Sequence, residues 1–397
     1  MGRSKNPLAI FAPILGRWAH DFVRAHIEQI LPKRTVVLAI AAVRPSPPCW
    51  DVQVPKLCLS SGLEPGDPSA STEGSVWESI PVELRTQFSS AAHTCRVRRF
   101  LLEHGVKVIL AQWMHQSLPL VGLAREMGLP YYCQTHGTDI TEGLKSAEVS
   151  HAYLGYNQTN GVVAPSEFGQ RQLLGLGIQP DRAHLVRHPV SIPSRPIARP
   201  RGPVRCLVVG RLEPMKGPLL VVDAFRRALE SCPDLRLDYV GDGSLRPAVD
   251  RALGAAELRG RITLHGYLPN EKVRLMMRRS HIFLHPSQVG NGLRYDTCPV
   301  AVAEAMAEGM AIIAARHGGI PEEIEDGESG LLVDEGDARS IAERILNLAS
   351  DEELRARLGE AAWLRARAMF CPSVVRQRWL ELMGLEEDGE RARGNEK

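Results

Sequence analysis

A chain of 397 residues is too long to bury around one ordinary core, so two domains are expected. Its 48 basic and 46 acidic residues nearly cancel, which argues against a nucleic-acid binder, where a basic face dominates the balance. Eight scattered cysteines, with no Cys-x-x-Cys pair, suit reduced thiols in a cytoplasmic protein better than a disulfide framework or a zinc site.

The first apolar run, Leu8–Ala12, ends at Pro13 and reads as a strand, not as the core of a signal peptide. No later run reaches the ~20 residues that a membrane span requires. Further strands are predicted over Thr35–Val43, Val106–Gln112, Pro130–Thr135, Gly161–Ala164 and His184–Arg187, with helices over Ala19–Leu31 and Leu118–Met127. Ser60–Ser75, rich in Gly, Ser, Pro and Glu, reads as a surface loop. His93–Val108 sets Arg96, Arg98 and Arg99 beside Phe100, Leu101 and Leu102. It is either a solvated helix face or a basic amphipathic helix for a membrane surface or a lipid-linked acceptor.

Residues 191–203, rich in proline and arginine and without periodicity, read as a linker with solvated arginines between a domain at 1–190 and another at 204–370. The second half restarts the pattern. Strands are predicted over Arg205–Val209, Arg236–Val240, Ile262–His265, His281–His285, Ala311–Ala315 and Gly330–Val333. Helices are predicted over Pro218–Glu230, Leu245–Leu253, Val300–Glu308, Ala338–Ala349 and Asp351–Met369. A last helix, 373–385, can pack back on the first domain, and the charged tail 386–397 reads as disordered. The fold class is α/β: two Rossmann-like doubly wound domains facing a central cleft, with ligands at the C-terminal strand ends.

Three segments at such strand ends carry chemistry. In VVGRLEPMKGPLLVVDAF, from Val208, a strand runs into Gly210 and then Arg211 and Lys216 before a helix opened by Gly217-Pro218. Two fixed cations there can neutralise a diphosphate, the arginine through its fork of donors and the lysine as a point charge. In DTCPVAVAEAMAEG, Asp296 and Glu304 stand with seven residues between them around a helix start at Pro299. A carboxylate at Glu304 can accept from two vicinal ribose hydroxyls. In THGTDIT, His136 and Gly137 follow an apolar strand. His281 and His285, four apart, belong to no cluster with metal-ligand spacing.

The stretch Val208–Val333 resembles the C-terminal domain of the retaining GT-B glycosyltransferases of the family 4 type. The resemblance rests on GRLEPMKG, YVGDGSLRP, LHGYLPNEKV, HPS and PVAVAEAMAEGMAIIAARHGGIPEEIEDGESGLLV, in the family's order. It implies diphosphate binding by Arg211 and Lys216, ribose binding by Glu304, and a nucleotide-side loop at Gly241 and Gly243. Asp296 falls where the family has a glutamate that contacts the donor sugar, one methylene shorter, or about 1.3 Å. QVGNGLRY before it departs from the family's sequence, and Arg187-His188-Pro189-Val190 replaces an Asn-Gly near the end of the first domain. THGTDIT matches the His-Gly-x-Asp segment, which would set His136 toward the donor sugar. PILGRWAHDFVRAHI resembles the loop after the first strand in polysaccharide-building members, which implies a donor contact at Gly16.

The resemblance implies retaining, metal-independent transfer from a nucleotide sugar to a carbohydrate or lipid-linked acceptor, with His136 and Asp296 as catalytic residues and no cofactor. It points to bacterial surface or exopolysaccharide synthesis. The alternative is a nucleotide-sugar-binding protein with little turnover, because of Asp296. An epimerase or phosphorylase leaves the full C-terminal block unexplained, and an NAD oxidoreductase lacks its glycine fingerprint, since Gly-Asp-Gly-Ser-Leu-Arg has no third glycine.

Overall fold

In a computed structural model the described residues are 7–15, 21–42, 51–59, 91–141, 147–255, 258–290 and 295–386. The chain forms two compact units. One holds Met1–Pro165, Gly169–Pro189 and Pro372–Lys397, and the other Ser166–Phe168 and Val190–Cys371.

The first unit is built on strands β1 (Leu8–Phe11), β3 (Thr35–Ala39), β5 (Lys56–Cys58), β6 (Val108–Gln112), β7 (Tyr131–Gln134), β8 (Gly161–Ala164) and β9 (Ala183–Leu185). They pair in parallel in the order β5-β3-β1-β6-β7-β8-β9, and the short β2 (Ile14–Leu15) pairs with β4 (Ala41–Ala42). Strand β1 lies between β3 and β6 with all four residues fully buried, which is why it reads as an unbroken apolar run and not an alternating one. Ala9 and Phe11 enter a core with Val36, Leu38, Ile109 and Leu120, whereas Leu8 and Ile10 enter a second with Val37, Leu110, Ile27 and Trp379. The helix Pro372–Met383 therefore belongs to this unit. Its hold is polar as well: the Tyr132 hydroxyl donates to the Leu382 carbonyl at 2.7 Å, and Arg376 Nε to that of Ile30 at 3.0 Å.

The second unit carries β10 (Arg205–Val209), β11 (Arg236–Val240), β12 (Ile262–Leu264), β13 (Ile282–His285), β14 (Ala311–Ala315) and β15 (Leu331–Val333). All pair in parallel in the order β12-β11-β10-β13-β14-β15. Strand order thus reverses beside β1 in one unit and beside β10 in the other, the position at which open α/β sheets bind ligands. Each unit is a doubly wound Rossmann-like sheet.

Residues 191–203 are not a free connector. Trp363 Nε1 donates to the Pro193 carbonyl at 3.0 Å. Arg199 donates to the carbonyls of Met277 (2.7 Å) and Ser280 (3.2 Å), and also to that of Glu308. These carbonyls close the helices Asn270–Arg279 and Val300–Ala307, so the arginine expected in solvent serves as a shared C-terminal cap. The tail beyond 386 lies outside the described residues, as does Ser60–Ser75. The strand Lys56–Cys58 has no counterpart among the predicted elements, being a three-residue edge strand with its first residue exposed.

The second core of the first unit also buries two imidazoles. His26 lies between Trp379 (ring centroids 5.6 Å) and His188 (5.9 Å), and the His188 ring stacks on His136 at 5.4 Å and 10°. Burial, then the neighbouring His188, pulls His26 down to about 3, and burial pulls His188 down to about 4. The folded protein holds both rings neutral, while the unfolded chain takes up protons near pH ~6.5. Stability is therefore full above that pH and falls as acid is added toward pH 4, by up to about 1.4 kcal/mol for each pH unit and ring. Urea unfolding should show a lower midpoint at pH 5 than at pH 7.5, with the difference reduced in His26→Leu. An equal midpoint at both pH values would contradict this.

Candidate functional site

Strand β10 ends beside Gly241, and the close approach explains the glycines. A Cβ on Gly241 (φ 137°) would stand 2.0 Å from the Gly210 carbonyl oxygen. The Gly241–Ser244 loop is tied to the loop after β10. Leu212 N–H donates to the Asp242 carbonyl at 2.9 Å, and Ser244 offers its N–H and hydroxyl to the two oxygens of Glu213, each at 2.8 Å. Arg211 sits in this loop. The stem of Lys216 lies over Gly210, its Cγ and Cδ 3.7 Å from where a Cβ would stand. Gly217 adopts a left-handed φ of 58°, and a Cβ there would meet the Pro286 carbonyl at 2.8 Å. The loops after β10 and β13 thus touch through backbone.

At that junction Lys216 Nζ pairs with Asp296 Oδ2. The same oxygen accepts from His285 Nε2 at 2.9 Å and from the Ser287 hydroxyl at 2.8 Å. Burial, followed by the Lys216 charge, draws His285 below its ordinary value, so the ring is neutral and donates. Burial alone would push the Asp296 carboxyl up, but the Lys216 charge and the His285 hydrogen bond hold it well below the usual carboxylate range. Asp296 is thus a fixed anion, 12% exposed, beside a fixed cation 14% exposed.

The backbone of Asp296 is held as firmly. Its N–H donates to His317 Nε2 at 3.0 Å, and its carbonyl accepts from Gly319 N–H at 3.0 Å. A Cβ on Gly318 would lie 2.2 Å from the Asp296 oxygen, and one on Gly319 would lie 2.0 Å from that of Thr297. The paired glycines of the GGIPEE segment are what lets these two strand-end loops meet. Glu304 lies one turn into the helix Val300–Ala307, half-buried, and its Oε1 accepts from Asn270 Nδ2 at 2.7 Å.

Of the residues singled out in the sequence, Arg211, Lys216, Gly241 and Asp296 come together at the end of β10. Glu304 stands on the next helix of the same unit. Gly16 lies outside the described residues. His136 belongs to the first unit, in a frame built on Asp139. That carboxylate accepts from Thr135 Oγ1 (2.7 Å), His136 N–H (2.9 Å) and Met114 N–H (3.1 Å). The His136 ring is half-buried, lies 4.4 Å from the Trp113 ring, and donates Nε2–H to Gln112 Oε1 at 2.8 Å. Trp113 holds a positive φ of 61°, a local strain beside the imidazole.

Sequence reasoning missed His285, Ser287, Asn270, Gln112, His317 and Glu335. His285, which belongs to no cluster with metal-ligand spacing, serves as a donor to Asp296. Its position at the end of a strand next to the order reversal was the available signal. Among the described residues no group of three or more His, Cys, Asp or Glu side chains could hold a metal ion.

Residues 194–365 match the family Glycosyl transferases group 1, and residues 35–189 match the Glycosyl transferase 4-like domain. The chain belongs to the group 1 glycosyltransferases. It is 29% identical over 222 residues to the amylovoran biosynthesis glycosyltransferase AmsK of Erwinia amylovora, covering 55% of this chain and 54% of that protein. It is 32% identical over 151 residues to the putative colanic acid biosynthesis glycosyltransferase WcaL of Escherichia coli K12, covering 38% and 37%. The matches thus span about half the length, or less, of these curated relatives. Among solved structures, Anabaena Alr3699/HepE in complex with UDP and glucose superposes with a TM-score of 0.73 at 16% identity, over 96% of this chain and 99% of that one. The family match and this likeness give the fold as GT-B, each of the two units being Rossmann-like.

Proposed function

We propose that this protein is a retaining glycosyltransferase that moves a sugar from a nucleoside-diphosphate sugar to an acceptor hydroxyl, without a metal, in bacterial surface or exopolysaccharide synthesis. The observation that carries this reading is the Lys216–Asp296 pair at the strand-order reversal of a group 1 unit. A fixed lysine, with Arg211 in the same loop, suits a diphosphate leaving group whose negative charge grows in the transition state. Glu304 is assigned to the ribose hydroxyls. Its Oε1 accepts from Asn270 Nδ2 at 2.7 Å, which orients a carboxylate able to accept from two vicinal hydroxyls.

Among the described residues the Asp296 carboxylate accepts hydrogen bonds through Oδ2, and we give its second oxygen the role of acceptor for a donor-sugar hydroxyl. His136 is assigned the role of polarising the sugar as its anomeric carbon becomes oxocarbenium-like. The acceptor hydroxyl attacks from the face the diphosphate leaves, and its proton passes to the departing phosphate. The names of AmsK and WcaL support a polysaccharide acceptor, and the UDP complex of HepE supports a nucleotide donor.

A second reading, donor binding without turnover, draws on the saturation of Asp296 Oδ2 by three donors. A panel of UDP-, GDP- and ADP-sugars with mixed acceptors separates the two. The enzyme reading expects nucleotide release with one donor, unchanged by EDTA, and at least about 100-fold slower in Lys216→Ala and Glu304→Ala, the scale of a lost transition-state contact. Loss with EDTA restored by manganese contradicts the metal-free part. Tight binding with no release, cured by Asp296→Glu, favours the second reading.

We assign the acceptor side to a lipid-linked saccharide approached along the helix Ala91–Glu103. Its Leu102 is 66% exposed beside the exposed Arg99, while Arg98 is engaged by Glu126 at 2.5 Å. No helix among the described residues is long and apolar enough to cross a membrane, so contact would be peripheral. Anionic vesicles should co-sediment the protein at low salt, and less so after Arg99→Glu with Leu102→Glu. Absence of wild-type binding would sink this assignment.

A further inference from the structure

Glu335, two residues beyond β15, joins the two limbs of the loop that leads from β13 to Asp296. Its Oε2 accepts from Val289 N–H at 2.8 Å, and its Oε1 accepts from His317 Nδ1 at 2.8 Å. The far side of the same imidazole, Nε2, accepts from Asp296 N–H at 3.0 Å. One ring nitrogen must therefore carry the proton and the other a lone pair, and the carboxylate is what selects that tautomer. The His317 side chain is fully buried, and the Tyr295 ring stacks on it at 5.4 Å and 16°, backed in turn by Phe168 at 5.3 Å. The ring cannot tilt away without breaking this stack. Glu335 is 32% exposed, at the outer end of the line.

The clamp acts directly on the chain that carries Asp296, and reaches the turn that carries Lys216 only through Val289, the neighbour of Gln288. That turn has its own ties, Gln288 N–H to the Met215 carbonyl at 2.9 Å and Gln288 Nε2 to the Pro214 carbonyl at 3.0 Å. Glu304 and Arg211 are on other elements again. Releasing Glu335 would let the backbone of Asp296 drift while leaving the lysine turn and the ribose carboxylate in place.

We propose that Glu335 and His317 are positioning residues for donor-sugar activation: through a carboxylate–imidazole–amide line they set the main chain of Asp296, and hence the direction of its second carboxylate oxygen. The proposal rests on the donor-site reading above. It separates two properties that a purely structural role would move together, affinity for the bare nucleoside diphosphate and the rate of transfer.

The test uses the full-length protein with Glu335→Ala, Glu335→Gln and Asp296→Asn, singly and combined. In Glu335→Ala, kcat should fall by about 10- to 100-fold, the scale on which a misplacement near 1 Å acts. The affinity for UDP should stay within about threefold, because the Lys216 turn keeps its Gln288 ties and Glu304 its bond to Asn270. Glu335→Gln keeps one acceptor oxygen and should recover part of the rate. In the Asp296→Asn background, Glu335→Ala should add less than about threefold, since residues acting through one another are not additive. A readout independent of turnover is deuterium uptake by the peptides carrying Val289 and Asp296, which should quicken in Glu335→Ala. An unchanged kcat, an additive double variant, an equal loss of UDP affinity, or unchanged deuterium uptake would each overturn the proposal. If wild type turns over no donor, uptake still decides the clamp, and the functional reading fails separately.

Discussion

One carboxylate oxygen organises the second unit. Asp296 Oδ2 accepts from an ammonium, an imidazole and a hydroxyl that arrive from the ends of β10 and β13. Taking a carboxylate this far out of water is unfavourable unless its charge and lone pairs are matched. Here three donors and a full positive charge supply the match. The requirement then propagates: Lys216 must lie flat over Gly210, Gly241 must lack a Cβ where it meets Gly210, and Gly318 and Gly319 must lack one where they meet the Asp296 main chain. The glycine pattern of the unit follows from seating this one side chain at the strand-order reversal.

The same logic recurs in the first unit with different residues. Asp139 gathers a hydroxyl and two backbone amides after β6 and β7, and so fixes the start of the segment that carries His136. The imidazole is then held by Gln112 on one edge, by the stacked ring of His188 and by the tilted ring of Trp113. In both units a buried or nearly buried aspartate turns flexible loop ends into rigid supports, which a site that must meet a developing charge needs.

Much of this was legible in the sequence because it was local. Strands such as Arg205–Val209 and Ala311–Ala315 are short apolar runs between turn residues, and their positions fall out of that pattern alone. Arg211, Lys216, Asp296 and Glu304 stand at strand ends and helix starts, where a reader looks for ligand contacts. The partners that tune them were not legible. Asn270 reaches Glu304 across 34 residues, His317 reaches Asp296 across 21, and Glu335 reaches Val289 across 46. No periodicity marks such pairs; only the folded register of β13, β14 and β15 brings them together. The shorter Asp296 reads differently in the structure too. A side chain one methylene short of glutamate is the length that places its oxygen on Lys216, His285 and Ser287.

The most direct test of this account is calorimetric titration of UDP, GDP and ADP into the wild type and Lys216→Met at two salt concentrations. The account predicts that one nucleotide binds the wild type more tightly at low salt, and that Lys216→Met weakens it by about tenfold or more, the 1.4 kcal/mol or so of a single charge-assisted contact. Equal affinity in the two proteins would mean that the lysine held by Asp296 is not the diphosphate ligand, and the donor site would have to be sought elsewhere.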